Sequence, residues 1–205
     1  HYECYMPRGY SGTTWKKTEA PADNADSVLA ANRLAYRDEG VIALLKDAQQ
    51  EIKQGNIVIL GGDFNEPSHL DWQADTKNIR NHNNLVINWD CSVMLHKAGY
   101  KDAYRELYPN PVTHPGFSWP AGNKAAPMDK LIWVTDADDR DRIDFIYYYP
   151  NKDLVLNDVI IVGPREDLCM GKINDYKTQD PFITPKGVWP SDHKGTLATF
   201  NLNTK

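Results

Sequence analysis

Three short motifs combine acidic, amide and histidine side chains with strand-like apolar segments. Residues 61–67, GGDFNEP, follow the apolar run 57–60. Residues 141–148, DRIDFIYY, are themselves strand-like, and residues 191–195, SDHKG, lead into the strand-like run 196–202. Carboxylates and a histidine at strand ends are the groups that metal-assisted hydrolysis of a phosphate ester requires. Each motif alone is a weak signal, but their order and strand context together predict such a site.

The first motif offers an acid and an amide. Asp63 and Asn65 lie two residues apart, so both side chains point to one side if the chain stays extended. An acid here can activate water or protonate a leaving oxygen, and the amide can hydrogen-bond a phosphate without adding negative charge. The alternative is an Asp–Asn turn that closes the strand. The apolar run before Asp63 predicts a central strand that is covered on both sides.

The second and third motifs offer a carboxylate and a histidine that suit each other. Asp144 lies within a strand pattern, where a carboxylate is costly to bury without a partner. His193 is the partner that we predict, because a carboxylate fixes the tautomer of an imidazole and favours its cation. The alternative is an ion pair of Asp144 with Arg140 or Arg142. Asp192 suits a hard cation such as Mg²⁺, whereas an ordinary turn is the alternative for the Ser-Asp-His motif.

Periodicity predicts the elements that must position these side chains. An apolar stripe predicts a helix over residues 27–54, which ends at the glycine in position 55. A second, shorter helix is predicted over residues 91–98. Strands are predicted over the segments 1–6, 56–60, 142–149, 154–162 and 194–202.

Two polar segments are predicted to be irregular. Residues 68–88 read as a long loop in which His82 is solvated, and residues 163–189 read as a long polar connection. The chain has no internal repeat, low-complexity tract or linker that would divide it. Residues 1–205 are therefore predicted to form a single domain.

Composition limits the classes of function. The chain has 205 residues, of which 41% are hydrophobic and 25% charged, as in ordinary globular proteins. No apolar run approaches the ~20 residues that a membrane span needs. A net charge of -5 argues mildly against a broad nucleic-acid surface. The three cysteines form no CxxC motif, and buried free thiols are expected.

Taken in order, GGDFNEP, DRIDFIYY and SDHKG resemble motifs of the endonuclease/exonuclease/phosphatase superfamily of DNase I-like phosphoesterases. The resemblance extends from position 1 to about position 201. It implies a four-layer α/β sandwich, in which two packed, mostly antiparallel sheets are flanked by helices. It also implies a metal site at one end of the two sheets, with Mg²⁺ or Mn²⁺ as the cofactor.

The resemblance assigns a role to each matching residue. Asp63 resembles the acid that handles the proton of the nucleophile or leaving group, and Asn65 the amide that holds the phosphate. Asp144 would orient His193, which would stabilise the phosphoryl oxygens. Asp192 would contribute to the metal site.

The N-terminal side of the chain departs from the family pattern. His1 resembles the family's histidine at the start of an earlier strand, which also contacts phosphate. Family members carry an Asn and a metal-binding Glu upstream of this point. We therefore expect the chain to be the C-terminal portion of the domain, incomplete on its N-terminal side. This portion alone is expected to have an uncovered apolar face and little activity.

The resulting functional prediction is divalent-metal-dependent hydrolysis of a small phosphomonoester or phosphodiester, such as a sugar, inositol or lipid-headgroup phosphate. A nuclease that acts on DNA or RNA is the alternative within the same chemistry. A non-catalytic binding module without the metal-binding Glu is the alternative from another class. The aromatic- and Asn-rich composition weakly favours a secreted or cell-envelope protein.

Overall fold

A computed structural model describes residues 3–175 and 177–203 of the 205-residue chain. These residues form a mixed α/β structure with four α-helices, two short 3₁₀ helices and eight strands in three sheets. The α-helices are α1 (Ala25–Arg33), α2 (Arg37–Lys53), α3 (Asp90–Lys97) and α4 (Ala103–Leu107). None of the helices that the structure describes combines the length and the apolar character of a membrane span.

The apolar stripe predicted as one helix over residues 27–54 forms two helices instead. Asn24 caps α1, because its side chain accepts hydrogen bonds from the N–H groups of Asp26 and Ser27. The helical path stops before Tyr36, whose φ of 57° is in the left-handed region and cannot continue an α-helix. The apolar stripe continues from α1 into α2, so hydrophobic periodicity alone does not reveal the break between the two helices. The glycine at position 40 lies inside α2 and does not interrupt it.

The first sheet contains β1 (Ile59–Asp63), β2 (Lys101–Asp102) and β3 (Asp144–Tyr148) in the order β1-β3-β2. Both pairings are antiparallel. The predicted strand over residues 56–60 is thus displaced toward the C-terminus, so that it includes both glycines and Asp63. The prediction that this strand is central was wrong for the described residues, in which β1 has one neighbour and four of its five residues are exposed. Leu60 packs against a buried cluster that includes Val41 and Ala48 of α2.

The second sheet contains β4 (Leu154–Val162), β7 (Phe182–Ile183) and β8 (Gly195–Leu202) in the order β7-β4-β8. A separate hairpin is formed by β5 (Asp167–Cys169) and β6 (Lys172–Asn174). Three of these strands, β5, β6 and β7, lie in the segment 163–189, which was predicted to be an irregular connection. They are two or three residues long, too short for an alternating pattern to identify.

The two main sheets pack against each other. Tyr148 of β3 and Val159 of β4 belong to one buried apolar cluster, against which Ile146 of β3 and Phe200 of β8 also pack. The rings of Tyr148 and Phe200 are in direct contact. The opposite face of β3, through Phe145, packs against α2 and α3. Helices, first sheet and second sheet therefore form three successive layers, and the predicted fourth layer stays a prediction.

The segments outside the sheets are more ordered and more buried than expected. Glu3–Arg8 is a 3₁₀ helix, not the predicted strand, and His1 lies outside the described residues. In the segment 68–88, Trp72 is completely buried and His82 is 1% exposed. The two rings stack with centroids 3.6 Å apart. The prediction that His82 is solvated was therefore wrong.

Candidate active site

Two carboxylates meet at one end of the first sheet. Asp63 ends β1 and Asp144 begins β3, and the two residues are paired in the antiparallel register. Directly opposed residues of an antiparallel pair place their side chains on the same face, with Cβ atoms about 5 Å apart. The register of β1 and β3 therefore brings together two acids that are far apart in the sequence.

A tight turn holds the carboxylate of Asp63. The backbone N–H of Asn65 donates a hydrogen bond of 2.7 Å to Asp63 Oδ1, and Asn65 has a φ of 48°. The Asp–Asn turn considered as the alternative is thus present, and it positions the acid at the sheet end. The Oδ1 atom of Asn65 is buried and has no hydrogen-bond partner among the described residues.

Glu66 anchors this turn, a role that the sequence did not suggest. Its carboxylate is 1% exposed and accepts hydrogen bonds from Asn32 Nδ2 and from the N–H of Cys91, both at 2.7 Å. These partners belong to α1 and α3. The residue that follows Asn65 is therefore fixed to two helices, which limits the movement of the turn.

His193 reaches the same sheet end from the second sheet. Its Nδ1 atom lies 2.9 Å from Oδ2 of Asp144. The N–H of His193 donates to Ser191 Oγ at 3.0 Å, and Trp189 Nε1 donates to the carbonyl of His193 at 2.7 Å. The Ser-Asp-His motif therefore does form a turn, and that turn presents the imidazole to Asp144.

The predicted partner of Asp144 is the one that the structure contains. The alternative partners are engaged with other acids, because Arg140 binds Asp138 and Arg142 binds Asp102. One ligand atom from each of Asp63, Asp144 and His193 lies within 4.8 Å of the others. Asp63 is exposed and the other two are half-buried, so a ligand can reach the cluster from solvent.

The surroundings change the proton affinity of two of these groups. Loss of water around its carboxyl raises the pKa of Asp63; the hydrogen bond from Asn65 opposes this, and the charge of Asp144 adds to it. Burial by itself lowers the pKa of His193, but the hydrogen bond and charge of Asp144 outweigh burial, so the pKa is raised. The pair thus favours an imidazolium that donates from Nδ1 to Asp144.

Asp192 stands apart from this cluster. It is not one of the three clustered residues, although its charge also raises the pKa of His193. Its backbone carbonyl accepts a 2.7 Å hydrogen bond from the N–H of Ala121, which fixes the turn before β8. His1, the remaining predicted site residue, lies outside the described residues.

The donor atoms present suit a hard divalent cation. The cluster supplies two carboxylates, and the unpartnered Oδ1 of Asn65 is a further oxygen nearby along the chain. Mg²⁺ and Mn²⁺ prefer oxygen ligands of this kind. By contrast, the cysteines are free thiols, with Cys4 and Cys91 buried, and none of the three belongs to the cluster.

Comparison with known proteins agrees with this chemistry. A sequence profile described as the Endonuclease/Exonuclease/phosphatase family matches residues 5–193. A Caenorhabditis elegans protein described as uncharacterised is 42% identical over 92 residues, which are 44% of this chain. The matched region spans 27% of the length of that relative.

Proposed function

The chain belongs to the endonuclease/exonuclease/phosphatase family, and from that premise we propose that it hydrolyses a phosphate ester with the help of a divalent metal ion. The family consists generally of hydrolases that act on phosphoester bonds. The observation that carries the proposal is the clustering of Asp63, Asp144 and His193 within 4.8 Å at a solvent-accessible sheet end. An acid, a carboxylate–histidine pair and an open approach are what in-line attack of water on phosphorus requires.

Four side chains share the proposed chemistry. Asp63 accepts a proton from the attacking water or returns one to the leaving oxygen, and its raised pKa suits either exchange. Asp144 holds Nδ1 of His193, so that Nε2 donates to a phosphoryl oxygen. The side-chain amide of Asn65 donates a hydrogen bond to the phosphate.

The same proposal includes a metal ion. On the resemblance of the SDHKG motif, Asp192 is proposed as a ligand of this ion, although its side chain is not one of the three clustered groups. When bound, a divalent cation offsets negative charge on the phosphoryl oxygens and polarises the phosphorus for attack. The fold that we propose is the four-layer DNase I-like sandwich.

The substrate that we propose is a small phosphomonoester or phosphodiester. The net charge of -5 supports a small substrate over a long polyanion, because nucleic-acid binding relies on a basic surface. A nuclease is the second candidate, since the same site chemistry serves both. A module that binds a ligand without hydrolysing it is the candidate outside enzymology.

Activity assays on the full-length natural protein separate these candidates. The panel contains sugar phosphates, inositol phosphates, a phosphodiester lipid headgroup, plasmid DNA and RNA, each with Mg²⁺ or Mn²⁺. We expect phosphate release from a small ester, with kcat at least ~100-fold lower for His193→Ala and for Asp63→Asn. The exposed His96 provides a control, and His96→Ala is expected to keep wild-type kcat.

The other outcomes of these assays would either indicate a different function or contradict the proposed site. Cleavage of DNA or RNA alone would make the protein a nuclease. Metal-dependent binding of a phosphate ester without turnover would favour the binding module. Hydrolysis that survives both substitutions would contradict the assignment of the site.

A further inference from the structure

Ser118 is buried completely, yet it lies between the two chain segments that carry Asp144 and His193. Its hydroxyl oxygen accepts hydrogen bonds from the backbone N–H groups of Ile143 and Asp144, each at 3.0 Å. Both bonds fix the backbone at the start of β3. The conformation of Asp144 is therefore tied to a side chain outside its own sheet.

The backbone of Ser118 holds the other segment. Its carbonyl accepts a 2.7 Å hydrogen bond from the N–H of Lys194, the residue after His193. The side chain of Lys194 is buried in an ion pair with Asp167, which fixes this residue from a second direction. One residue thus contacts both strand starts directly.

The contacts of Ser118 with both segments are important because β3 and β8 belong to different sheets. Asp144 begins β3 of the first sheet, whereas His193 precedes β8 of the second. Ladder hydrogen bonds join strands within a sheet and do not set the distance between packed sheets. The 2.9 Å contact of Asp144 with His193 therefore depends on whatever fixes one strand start relative to the other.

We infer that Ser118 is a positioning residue, which holds Asp144 and His193 in the geometry of the site. The inference rests on the proposed function for its catalytic consequence. The structural part of the inference does not depend on any substrate. It states that the Asp144–His193 hydrogen bond depends on the Ser118 hydroxyl. Loss of the hydroxyl would leave the buried N–H of Ile143 and the half-buried N–H of Asp144 without this acceptor, and the start of β3 would shift to find another.

The test uses three variants of Ser118 in the full-length protein. Ser118→Ala removes the hydroxyl, Ser118→Thr keeps it, and Ser118→Cys replaces it with a weaker acceptor that keeps the variant close to wild type in size. Ser92→Ala is the matched control. The buried Ser92 hydroxyl also accepts a backbone N–H, that of His69 at 2.8 Å, so the same chemical change is made elsewhere in the core.

The first measurement is the NMR signal of the imidazole Nδ1–H of His193, which a hydrogen bond to a carboxylate moves far downfield. We expect this signal in wild type, Ser118→Thr and Ser92→Ala, and its loss or upfield shift in Ser118→Ala, with Ser118→Cys in between. An unshifted signal in Ser118→Ala would overturn the inference. If Ser118→Ala does not fold, an unshifted signal in Ser118→Cys would overturn it.

The second measurement is steady-state kinetics with whichever phosphate ester the wild-type protein hydrolyses. We expect kcat to fall roughly 10- to 100-fold in Ser118→Ala, with KM changed less than about twofold, because a displacement of about 1 Å costs rate more than binding. Ser92→Ala is expected to keep kcat. Equal losses of kcat in Ser118→Ala and Ser92→Ala would overturn the inference. A wild-type protein without hydrolysis would contradict the proposed function alone, and the NMR signal would still decide the role of Ser118.

Discussion

Asp144 Oδ2 and His193 Nδ1 are 2.9 Å apart, although the residues are separated by 49 positions in the sequence and belong to segments of different sheets. The contact is formed at the sheet end where Asp63 is also paired with Asp144. Two independent features of the fold thus form the cluster. The register of β1 and β3 brings the two acids together, and the packing of the second sheet on the first brings His193 to them. The geometry of the cluster therefore depends on the position of Asp144, because Asp144 is paired with Asp63 and also contacts His193.

The substitution Asp144→Asn tests this dependence. The amide keeps the shape of the carboxylate but loses its charge, and its NH₂ group can donate to Nδ1 and stabilise the other tautomer of His193. We expect kcat for the phosphate ester to fall ~100-fold or more. Asp47→Asn makes the same change at an exposed position of α2 and is expected to leave kcat unchanged. Equal kcat in the two variants would rule out a catalytic role for Asp144.

Strand patterns and motif order were sufficient to predict that Asp63, Asp144 and His193 lie at or next to strand ends. The strand β4 has the bounds that alternation predicted, and β3 and β8 begin within two residues of the predicted starts. Local patterns succeed here because a half-buried strand must alternate along its whole length. The acids and the histidine were found because each lies at the end of such a strand.

The parts that the sequence did not reveal depend on contacts between distant segments. The polar segment 68–88 buries several of its side chains, among them His82, which stacks on Trp72, and Asp71, which pairs with Arg105. No local pattern in the sequence contains that information. Ser118 was missed for the same reason, since its partners are about 25 and 76 residues away and involve backbone groups. Burial of polar residues through long-range pairing is invisible to hydrophobic periodicity.

Removal of the metal ion tests the proposed cofactor. We expect a chelator to abolish hydrolysis and added Mg²⁺ or Mn²⁺ to restore it, because the cation offsets charge on the phosphoryl oxygens. Asp192→Asn is expected to raise the metal concentration for half-maximal activity at least ~10-fold. Asp153→Asn, which makes the same change in the turn before β4, is the control and should leave that concentration unchanged. Full activity in the presence of chelator would contradict the metal assignment.

His82 predicts a dependence of stability on pH. Burial lowers its pKa in the folded protein to about 2, and the positive charges of Arg8 and Arg80 act in the same direction. In the unfolded chain its pKa is ~6.5, so below that pH the unfolded state binds a proton that the folded state does not. The stabilisation is fully present above pH 6.5 and is lost progressively as the pH falls toward 2.

Urea unfolding at pH 7.5 and pH 5.0 measures this effect. The contribution of His82 to the loss of unfolding free energy at pH 5.0 is expected to be about 2 kcal/mol. His82→Phe keeps a ring that can stack on Trp72 but cannot bind a proton. The unfolding free energy that this variant loses between pH 7.5 and pH 5.0 should therefore be smaller than the wild-type loss by the contribution of His82. His96→Phe changes an exposed histidine and should retain the wild-type difference. Identical pH dependence in His82→Phe and wild type would disprove the role of His82.

Arg142 and Arg33 offer a comparison of a buried with an exposed ion pair. Arg142 is 2% exposed, and its guanidinium donates to Asp102 at 2.7 Å and to Asp71 at 3.0 Å. The substitution Arg142→Met would leave these carboxylates in the core with less compensating charge. We expect the free energy of unfolding to fall by about 3–5 kcal/mol.

The exposed pair provides the matched control. Arg33 donates to both carboxylate oxygens of Asp90, but its side chain is 54% exposed, so water replaces the lost interaction. Arg33→Met is therefore expected to lower the free energy of unfolding by at most about 1 kcal/mol. Both substitutions remove one positive charge, so a difference in urea midpoint between the variants reports burial and not net charge. Equal midpoints would mean that Asp71 and Asp102 find other partners, such as Arg105, once Arg142 is gone.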